Sequence, residues 1–258
     1  MVRPLVIAHR GASAEAPENT LAAFRRALAL GVDGLELDVQ VTRDGVPVVF
    51  HDATLTRLTG CRGRIAQFSR RALREFRVRG EAIPTLAEVL ALVRDRAVVQ
   101  IELKRGTPVA PVVAAIRRTR AGGNVVLSSF EPELVAEART LAPRIPRVLI
   151  HEERLDRLAA PHARAHRLAG RLATLGAAGV SLDHRAIPSA RFIAALKGRG
   201  FCVWCWTVND PRAMLRLARL GADAILTDDP ALLKSTLSAQ RTPGKAPVPV
   251  SANPRPPI

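Results

Sequence analysis

The sequence lacks features that mark several classes of protein. It has no tyrosine, 3% aromatic residues and three cysteines in 258 residues. Three cysteines cannot form the disulfide framework of a small secreted domain. No apolar run approaches the roughly 18 residues that a membrane-spanning helix requires. Residues 1–4 leave no room for a signal peptide before the apolar run that starts at Leu5. We therefore expect a cytoplasmic protein without a transmembrane segment.

Two of the cysteines form a C-x-x-C sequence, which in some proteins carries redox chemistry. These residues, Cys202 and Cys205, lie inside the apolar run Phe201–Trp206, which is typical of a strand. Residues three apart on a strand point to opposite faces, whereas a redox pair has both thiols at the start of one helix. We interpret both cysteines as packing residues.

Lysine is scarce, and arginine supplies most of the positive charge. The chain has 35 arginines and 4 lysines, with a formal net charge of +16 at pH 7. Nucleic-acid-binding proteins have such charges, but their basic residues cluster on one face. Here the arginines are spread along helix-like segments, so we interpret them as solvated helix surface. We expect no nucleic-acid partner, and the charge is compatible with weak attraction to anionic surfaces.

Eight short apolar runs alternate with longer amphipathic segments. This alternation predicts parallel strands covered by helices, and eight such units close a barrel of about 250 residues. The alternative is an open doubly wound sheet, but no glycine-rich phosphate loop follows the first run. We predict a (β/α)₈ TIM barrel. The predicted strands are Leu5–His9, Gly34–Val41, Val98–Leu103, Val125–Ser128, Val148–His151, Gly179–Leu182, Phe201–Thr207 and Ala224–Thr227.

Helix boundaries are also readable. Asn19-Thr20 predicts the start of a helix that ends at Gly31. Thr85 and Glu88 have the spacing of a capping box. Later helix starts are predicted near Glu131, Ser189, Asp210-Pro211 and Asp229-Pro230.

The chain is predicted to hold one barrel domain, residues 1–240. A segment of about residues 52–84 interrupts the alternation and is interpreted as an insertion after the second strand, at the top of the barrel. An extra β-like run, Val46–Phe50, accompanies it. Residues 241–258 are rich in proline and lack periodicity, which predicts a disordered tail.

Carboxylates occupy two of the predicted strands. The active site of a TIM barrel lies at the C-terminal ends of its strands. Glu36 and Asp38 share one face of the second strand, and Glu102 lies in the next strand after the insertion. Charges inside apolar strands are costly to bury unless they are paired or bind a metal. An all-oxygen ligand set favours Mg²⁺ or Ca²⁺, and the sequence does not distinguish the two ions.

Positive charges and histidines accompany these carboxylates. Arg10 and Lys104 add fixed positive charge, which indicates an anionic substrate, with phosphate favoured over carboxylate. His9 ends the first strand and His51 follows the extra β-like run. Histidine side chains exchange protons at neutral pH, so this pair is suited to acid–base catalysis.

Each of these residues also has a structural interpretation. Glu36 and Asp38 could pair with Arg10 and Lys104 in an ion network without any metal. A single histidine at a strand end is commonly a hydrogen-bonded structural residue. Their joint occurrence at the C-terminal ends of neighbouring strands favours a catalytic site.

Several longer runs of the sequence match the motifs of one enzyme family. In the N-terminal third they are His9-Arg10-Gly11-Ala12-Ser13, Pro17-Glu18-Asn19-Thr20, Glu36-Leu37-Asp38-Val39, Asp44-Gly45 and His51-Asp52-Ala53-Thr54-Leu55-Thr56-Arg57. Further along they are Ile83-Pro84-Thr85-Leu86, Glu102-Leu103-Lys104, Ser128-Ser129-Phe130, Trp206-Thr207-Val208-Asn209 and Asp223-Ala224-Ile225-Leu226-Thr227-Asp228-Asp229-Pro230. Together they resemble the glycerophosphodiester phosphodiesterase family. The resemblance covers residues 5–236 and is weakest between Leu149 and Arg185.

The resemblance implies a reaction and a cofactor. It implies a (β/α)₈ barrel in which Glu36, Asp38 and Glu102 hold one divalent cation. The implied reaction is hydrolysis of a glycerophosphodiester to sn-glycerol 3-phosphate and an alcohol such as choline, ethanolamine or glycerol.

The resemblance also implies roles for the other charged residues. His9 and His51 would be the acid–base pair, and Arg10 and Lys104 would contact the phosphate. Which histidine is the base, and whether water or the substrate's own 2-hydroxyl is the nucleophile, stays open.

Two aromatic residues have competing interpretations. Phe130 and Trp206 lie near strand ends and would form an apolar wall against glycerol, or else ordinary barrel packing. An alternative function is that of a lysophospholipase-D-like relative acting on lipid-tailed substrates. A protein with a decayed site that binds nucleic acid or anionic membrane is a further alternative, which the intact set of charged residues argues against.

Overall fold

The computed structural model describes residues 3–152 and 160–239. The predicted disordered tail, residues 241–258, lies outside the described residues. Within the two described ranges, no helix is both long enough and apolar enough to cross a membrane.

Strands and helices alternate along the described chain. The strands are β1 (Leu5–His9), β2 (Gly34–Val41), β3 (Pro47–Val49), β4 (Arg77–Val78), β5 (Glu81–Ala82), β6 (Val98–Leu103), β7 (Val125–Ser129), β8 (Arg147–His151), β9 (Gly179–Asp183), β10 (Cys202–Trp206) and β11 (Ala224–Thr227). The helices are α1 (Leu21–Ala29), α2 (Thr56–Thr59), α3 (Arg70–Leu73), α4 (Leu86–Val93), α5 (Val109–Thr119), α6 (Pro132–Leu141), α7 (Pro161–Leu175), α8 (Ala190–Lys197), α9 (Pro211–Leu220) and α10 (Pro230–Ala239). Short 3₁₀ turns span Ile65–Gln67 and His184–Ala186.

Eight parallel strands close into a barrel. Their order is β1-β11-β10-β9-β8-β7-β6-β2, and β1 also pairs with β2. The closing pairs include Ile7 with Gly34 and Leu5 with Ala224. The predicted (β/α)₈ barrel is therefore confirmed, and closure excludes the open doubly wound sheet.

Helix starts follow the predicted capping signals. The Thr20 side chain accepts a hydrogen bond from the Ala23 N–H at the start of α1. Thr85 and Glu88 form the predicted capping box of α4. The other predicted starts hold as well, since α6 begins after Glu131, α8 after Ser189, α9 after Asp210 and α10 after Asp229.

Two layers of apolar side chains form the core around the barrel wall. Cys202 packs with Trp204 in the cluster that fills the barrel, whereas Cys205 belongs to the larger cluster between strands and helices. Both thiols are free. Burial raises the pKa of Cys202 to about 11 and raises that of Cys205 as well. The two cysteines therefore lie on opposite faces of β10, as predicted, and are held as protonated thiols.

The segment between β2 and α4 brings His51 to the top of the barrel. β3 runs antiparallel to β2, with Val49 opposite Val39. The Phe50 N–H donates to the Asp38 carbonyl oxygen (2.9 Å) immediately before His51. The segment has its own small apolar cluster, formed by Val48, Phe50, Leu55, Ile65, Leu73, Val78 and Ile83. This cluster gives the loop that carries His51 a fixed support.

Candidate active site

Three carboxylates meet at the C-terminal ends of β2 and β6. Asp38 and Glu102 are register partners on these adjacent parallel strands, and Glu36 lies two residues before Asp38 on the same face. One carboxylate oxygen from each of the three lies within 4.8 Å of the others. All three are buried, with 2%, 1% and 8% of their surface exposed for Glu36, Asp38 and Glu102. The three carboxylates that the sequence places on two neighbouring strands therefore meet in space.

The three carboxyl groups of the cluster are close enough to disfavour one another's ionisation. Burial, together with the charges of Asp38 and Glu102, raises the pKa of Glu36 well above its ordinary value. Burial and the charge of Asp38 raise the pKa of Glu102 to about 7. Burial opposes ionisation of Asp38 too, but the charges of Lys104 and Arg10 outweigh it and lower the pKa of that carboxyl group. A divalent cation among three oxygen donors would relieve this repulsion, so the residues present fit such an ion.

Arg10 and Lys104 both lie within ion-pair distance of Asp38. Lys104 Nζ lies 3.0 Å from Asp38 Oδ1 and also bonds Glu102. Arg10 Nε lies 3.4 Å from Asp38 Oδ2. Among the described residues, no lysine or arginine side chain pairs with Glu36. The ion pairs predicted as the structural alternative therefore form at Asp38, whereas Arg10 and Lys104 act on Glu36 only from a longer distance.

A tight turn directs the backbone of Arg10 at Glu36. Arg10 has φ 58° and Gly11 has φ 84°. A Cβ on Gly11 would lie 2.7 Å from the backbone carbon of Ala23, so the close approach to α1 requires glycine. In this turn the Arg10 N–H donates to Glu36 Oε2 (3.1 Å).

Both histidines use the same ring atom to bind an aspartate. His9 Nδ1 lies 2.7 Å from Asp228 Oδ1, and His51 Nδ1 lies 2.7 Å from Asp52 Oδ1. An ionised carboxylate can only accept, so each Nδ1 carries the hydrogen and each Nε2 is left as the acceptor. His9 Nε2 lies 3.9 Å from Glu36 Oε2, at the edge of the carboxylate cluster.

The aspartates that bind the histidines are held ionised. Hydrogen bonds from Arg57 lower the pKa of Asp52 to about 2, against the effect of burial. Burial alone would raise the pKa of Asp228, but the hydrogen bonds from His9, Asn209 and Ser13 together with the charge of His9 outweigh it, and the pKa is about 2. Burial lowers the pKa of His51, although Asp38 acts in the opposite direction. A neutral His51 imidazole is therefore favoured at pH 7.

The two histidines, two of the three carboxylates and an aromatic pair line one cavity at the top of the barrel. Its volume is about 130 Å³. Its lining residues are His9, Arg10, Glu36, His51, Gln100, Glu102, Lys104, Phe130, Ile150, Trp206, Thr207 and Leu226. The rings of Phe130 and Trp206 meet edge to face with centroids 5.5 Å apart. Trp206 Nε1–H donates to the Ser181 carbonyl oxygen (2.9 Å), which fixes the indole, and Phe130 is 40% exposed.

Comparison with known proteins identifies the family of this site. Residues 9–232 match the model of the glycerophosphoryl diester phosphodiesterase family. The chain belongs to this family. A glycerophosphodiester phosphodiesterase from Caldanaerobacter subterraneus subsp. tengcongensis is 34% identical over 249 residues, which cover 90% of this chain and 97% of that protein. The resemblance inferred from the motifs is confirmed, and the chain is an enzyme of the phosphoric diester hydrolase class.

Solved structures of family members share the barrel. The glycerophosphodiester phosphodiesterase of Agrobacterium tumefaciens has a TM-score of 0.77 and 28% identity, covering 90% of this chain and 99% of that one. A phosphodiesterase of Oleispira antarctica, solved in complex with the product sn-glycerol-3-phosphate, has a TM-score of 0.79 and 28% identity. That comparison covers 92% of this chain and 97% of the Oleispira chain.

Three residues of the glycerophosphodiester phosphodiesterase motifs gain a contact that the sequence did not reveal. Asn19 was predicted to help cap α1, but Thr20 alone does so, and Asn19 Nδ2 instead donates to Asp38 Oδ2 (2.7 Å). Asp228 binds His9 from the far end of the chain. Glu18 accepts from Arg10 Nη1 (2.8 Å). The sequence offered one signal for these contacts: each of the three residues is polar and lies in a family motif, yet no role had been predicted for its side chain in the active site.

Proposed function

We propose that this enzyme hydrolyses glycerophosphodiesters to sn-glycerol 3-phosphate and an alcohol, with a divalent cation and acid–base catalysis by two histidines. The observation that carries the proposal is a cavity lined by two aspartate-oriented histidines and by Glu36 and Glu102, two of the three clustered buried carboxylates. The product named for the Oleispira antarctica relative supports the substrate class.

The proposed cation ligands are Glu36, Asp38 and Glu102. Their all-oxygen donor set suits Mg²⁺ or Ca²⁺. When bound, the ion supplies positive charge that stabilises the negative charge developing on the phosphate. Arg10 and Lys104 line the same cavity and contribute two further positive charges for binding the phosphodiester.

Proton transfer is assigned to His9 and His51. One imidazole takes a proton from the nucleophile through Nε2, and the other gives a proton to the departing alcohol. The lowered pKa of His51 favours it as the acceptor. The nucleophile is water or the 2-hydroxyl of the substrate glycerol, and the second route passes through a cyclic phosphate.

Trp206 and Phe130 are proposed to contact the glycerol of the substrate. Replacing Trp206 with alanine is expected to raise KM about 10-fold and to change kcat much less, because apolar contact is lost without removing a proton-transfer group. Steady-state kinetics on glycerophosphocholine provide the measurement. Trp206→Phe is the matched control, since it keeps the apolar face and loses only the N–H bond to Ser181, and its KM should stay near wild type. A kcat loss larger than the KM change in Trp206→Ala would contradict the contact with glycerol.

The reaction is tested by release of glycerol 3-phosphate from glycerophosphocholine. We expect release that EDTA abolishes and that either Mg²⁺ or Ca²⁺ restores, because the carboxylate cluster needs a cation. Lysophosphatidylcholine serves as the comparison substrate. Turnover of the lysophospholipid without turnover of glycerophosphocholine would favour the lysophospholipase-D-like alternative. Turnover that survives EDTA would contradict the metal requirement. The cytoplasmic location and a role in lipid metabolism stay predictions.

A further inference from the structure

One arginine of the segment between β2 and α4 donates hydrogen bonds to two carboxylates at the rim of the active site. Arg57 lies in α2 (Thr56–Thr59), which follows His51 in the sequence. Its Nε and Nη2 donate to Asp52 Oδ2 (2.6 Å) and Oδ1 (2.8 Å). Its Nη1 and Nη2 donate to Glu18 Oε2 (2.9 Å) and Oε1 (2.9 Å). The guanidinium therefore makes paired contacts with both carboxylates at once, a geometry that lysine cannot reproduce.

Each of the two carboxylates also holds a residue that lines the catalytic cavity. Asp52 Oδ1 binds His51 Nδ1 (2.7 Å), and Glu18 Oε1 accepts from Arg10 Nη1 (2.8 Å). A continuous chain of charged hydrogen bonds thus runs from His51 through Arg57 to Arg10. In sequence its two halves are far apart, because Glu18 precedes α1 and Asp52 follows β3. Arg57 is the contact that joins them.

The surroundings of Arg57 argue against a role in stability alone. Its side chain is 50% exposed, and those of Glu18 and Asp52 are 18% and 19% exposed. Exposed ion pairs contribute little to stability in most proteins. What the contact restricts is rotation of two carboxylates, and the orientation of His51 and Arg10 depends on them.

We propose that Arg57 is a positioning residue for phosphodiester hydrolysis: it fixes the aspartate that orients His51 and the glutamate that orients Arg10. The inference rests on the proposed function, in which His51 transfers a proton and Arg10 binds phosphate. It adds that the segment between β2 and α4 takes part in organising the catalytic site and does more than support the loop that carries His51.

The test compares Arg57→Ala and Arg57→Lys with Arg26→Ala. Arg26 is the matched control, because its Nε bonds Glu15 (2.6 Å) and its side chain is 47% exposed, yet it does not line the catalytic cavity. In Arg57→Ala we expect kcat to fall roughly 10- to 100-fold, a part of the 10²–10⁴ that positioned proton transfer contributes. KM should rise as Arg10 loosens, and Arg57→Lys should be intermediate. Arg26→Ala should match wild type.

Two readouts separate positioning from structural support. Added guanidinium should recover part of the activity of Arg57→Ala and none in a variant that fails for lack of stability. The ¹⁵N spectrum of His51 should show a protonated Nδ1 in the wild type and a mixture of tautomers in Arg57→Ala. Thermal melting of both alanine variants should stay close to wild type.

Three results would overturn the inference. One is a kcat for Arg57→Ala within twofold of the Arg26→Ala value. Another is an activity loss that tracks a fall in melting temperature and does not respond to guanidinium. The third is an unchanged His51 tautomer. The proposed function has a separate test. An active His51→Gln enzyme would refute the acid–base assignment itself. An inactive His51→Gln enzyme beside an active Arg57→Ala enzyme would refute only the role of Arg57.

Discussion

Replacing His51 or His9 with glutamine is expected to lower kcat by about 10²–10⁴-fold, the contribution of a positioned proton-transfer group. Glutamine keeps a polar side chain that can still bond Asp52 or Asp228, but it cannot exchange a proton at neutral pH. Both rings bind an aspartate through Nδ1, so Nε2 is the atom left for chemistry in each. Glycerol 3-phosphate release at saturating substrate and cation gives kcat directly.

The control for these variants is His162→Gln. His162 is exposed on α7 and is absent from the lining of the catalytic cavity. Its kcat and KM should equal those of wild type. Near-wild-type turnover in either active-site variant would remove that histidine from the mechanism. If both variants kept activity, hydrolysis would depend on the carboxylates and bound cation without proton transfer by imidazole.

The barrel could be predicted because its signals are local. Each wall strand is a short apolar run, and the predicted bounds differ from the observed ones by a residue or so, as for β10, which spans Cys202–Trp206 and was predicted as Phe201–Thr207. Helix starts were equally local, since a cap such as Thr85 with Glu88 acts within one turn. Closure of the sheet into a barrel was predicted from the number of strands, because eight strand–helix units close a barrel.

The carboxylate cluster was predictable for a related reason. Glu36 and Asp38 share a strand face by spacing alone, and a barrel brings β2 beside β6, where Glu102 lies. The partners that tune the site were not predictable in this way. Asp228 contacts His9 across 219 positions of sequence, and Arg57 contacts Glu18 across 39. Such pairs depend on loop conformations above the strands, which hydrophobic periodicity does not encode.

Replacing Glu36 with glutamine is expected to stabilise the metal-free enzyme while lowering metal-dependent kcat by at least about 100-fold. Glu36 lies beside Asp38 and Glu102, and burial raises its pKa well above the ordinary value. A carboxyl group with a raised folded-state pKa binds its proton more tightly when folded. It therefore destabilises the protein as the pH rises above the unfolded pKa. For Glu102 the window runs from the ordinary value near 4.5 to about 7.

Glutamine removes one charge from this cluster and can still accept the Arg10 N–H. At pH 7.5 without metal, the free energy of unfolding should rise, because the variant lacks the buried carboxyl group whose ionisation opposes folding. The loss of stability of the metal-free protein between pH 4.5 and 7 should also become shallower. Urea unfolding in EDTA measures both quantities.

Adding a cation is expected to reverse the order of stability of the wild type and Glu36→Gln. A cation at 100 times its Kd stabilises the wild type by about 2.7 kcal/mol, whereas Glu36→Gln has lost a ligand and should respond much less. Glu88→Gln is the control, because the pKa of Glu88 is shifted in the opposite direction. Hydrogen bonds from Thr85 and the charge of Arg70 lower it despite burial. Replacing Glu88 should therefore not stabilise the protein, and the response to cation should stay as in the wild type. A metal-free Glu36→Gln protein less stable than wild type would mean that Glu36 serves the fold. The expected gain would mean that the charge of Glu36 lowers stability in the metal-free protein, as a residue kept for the proposed cation would do.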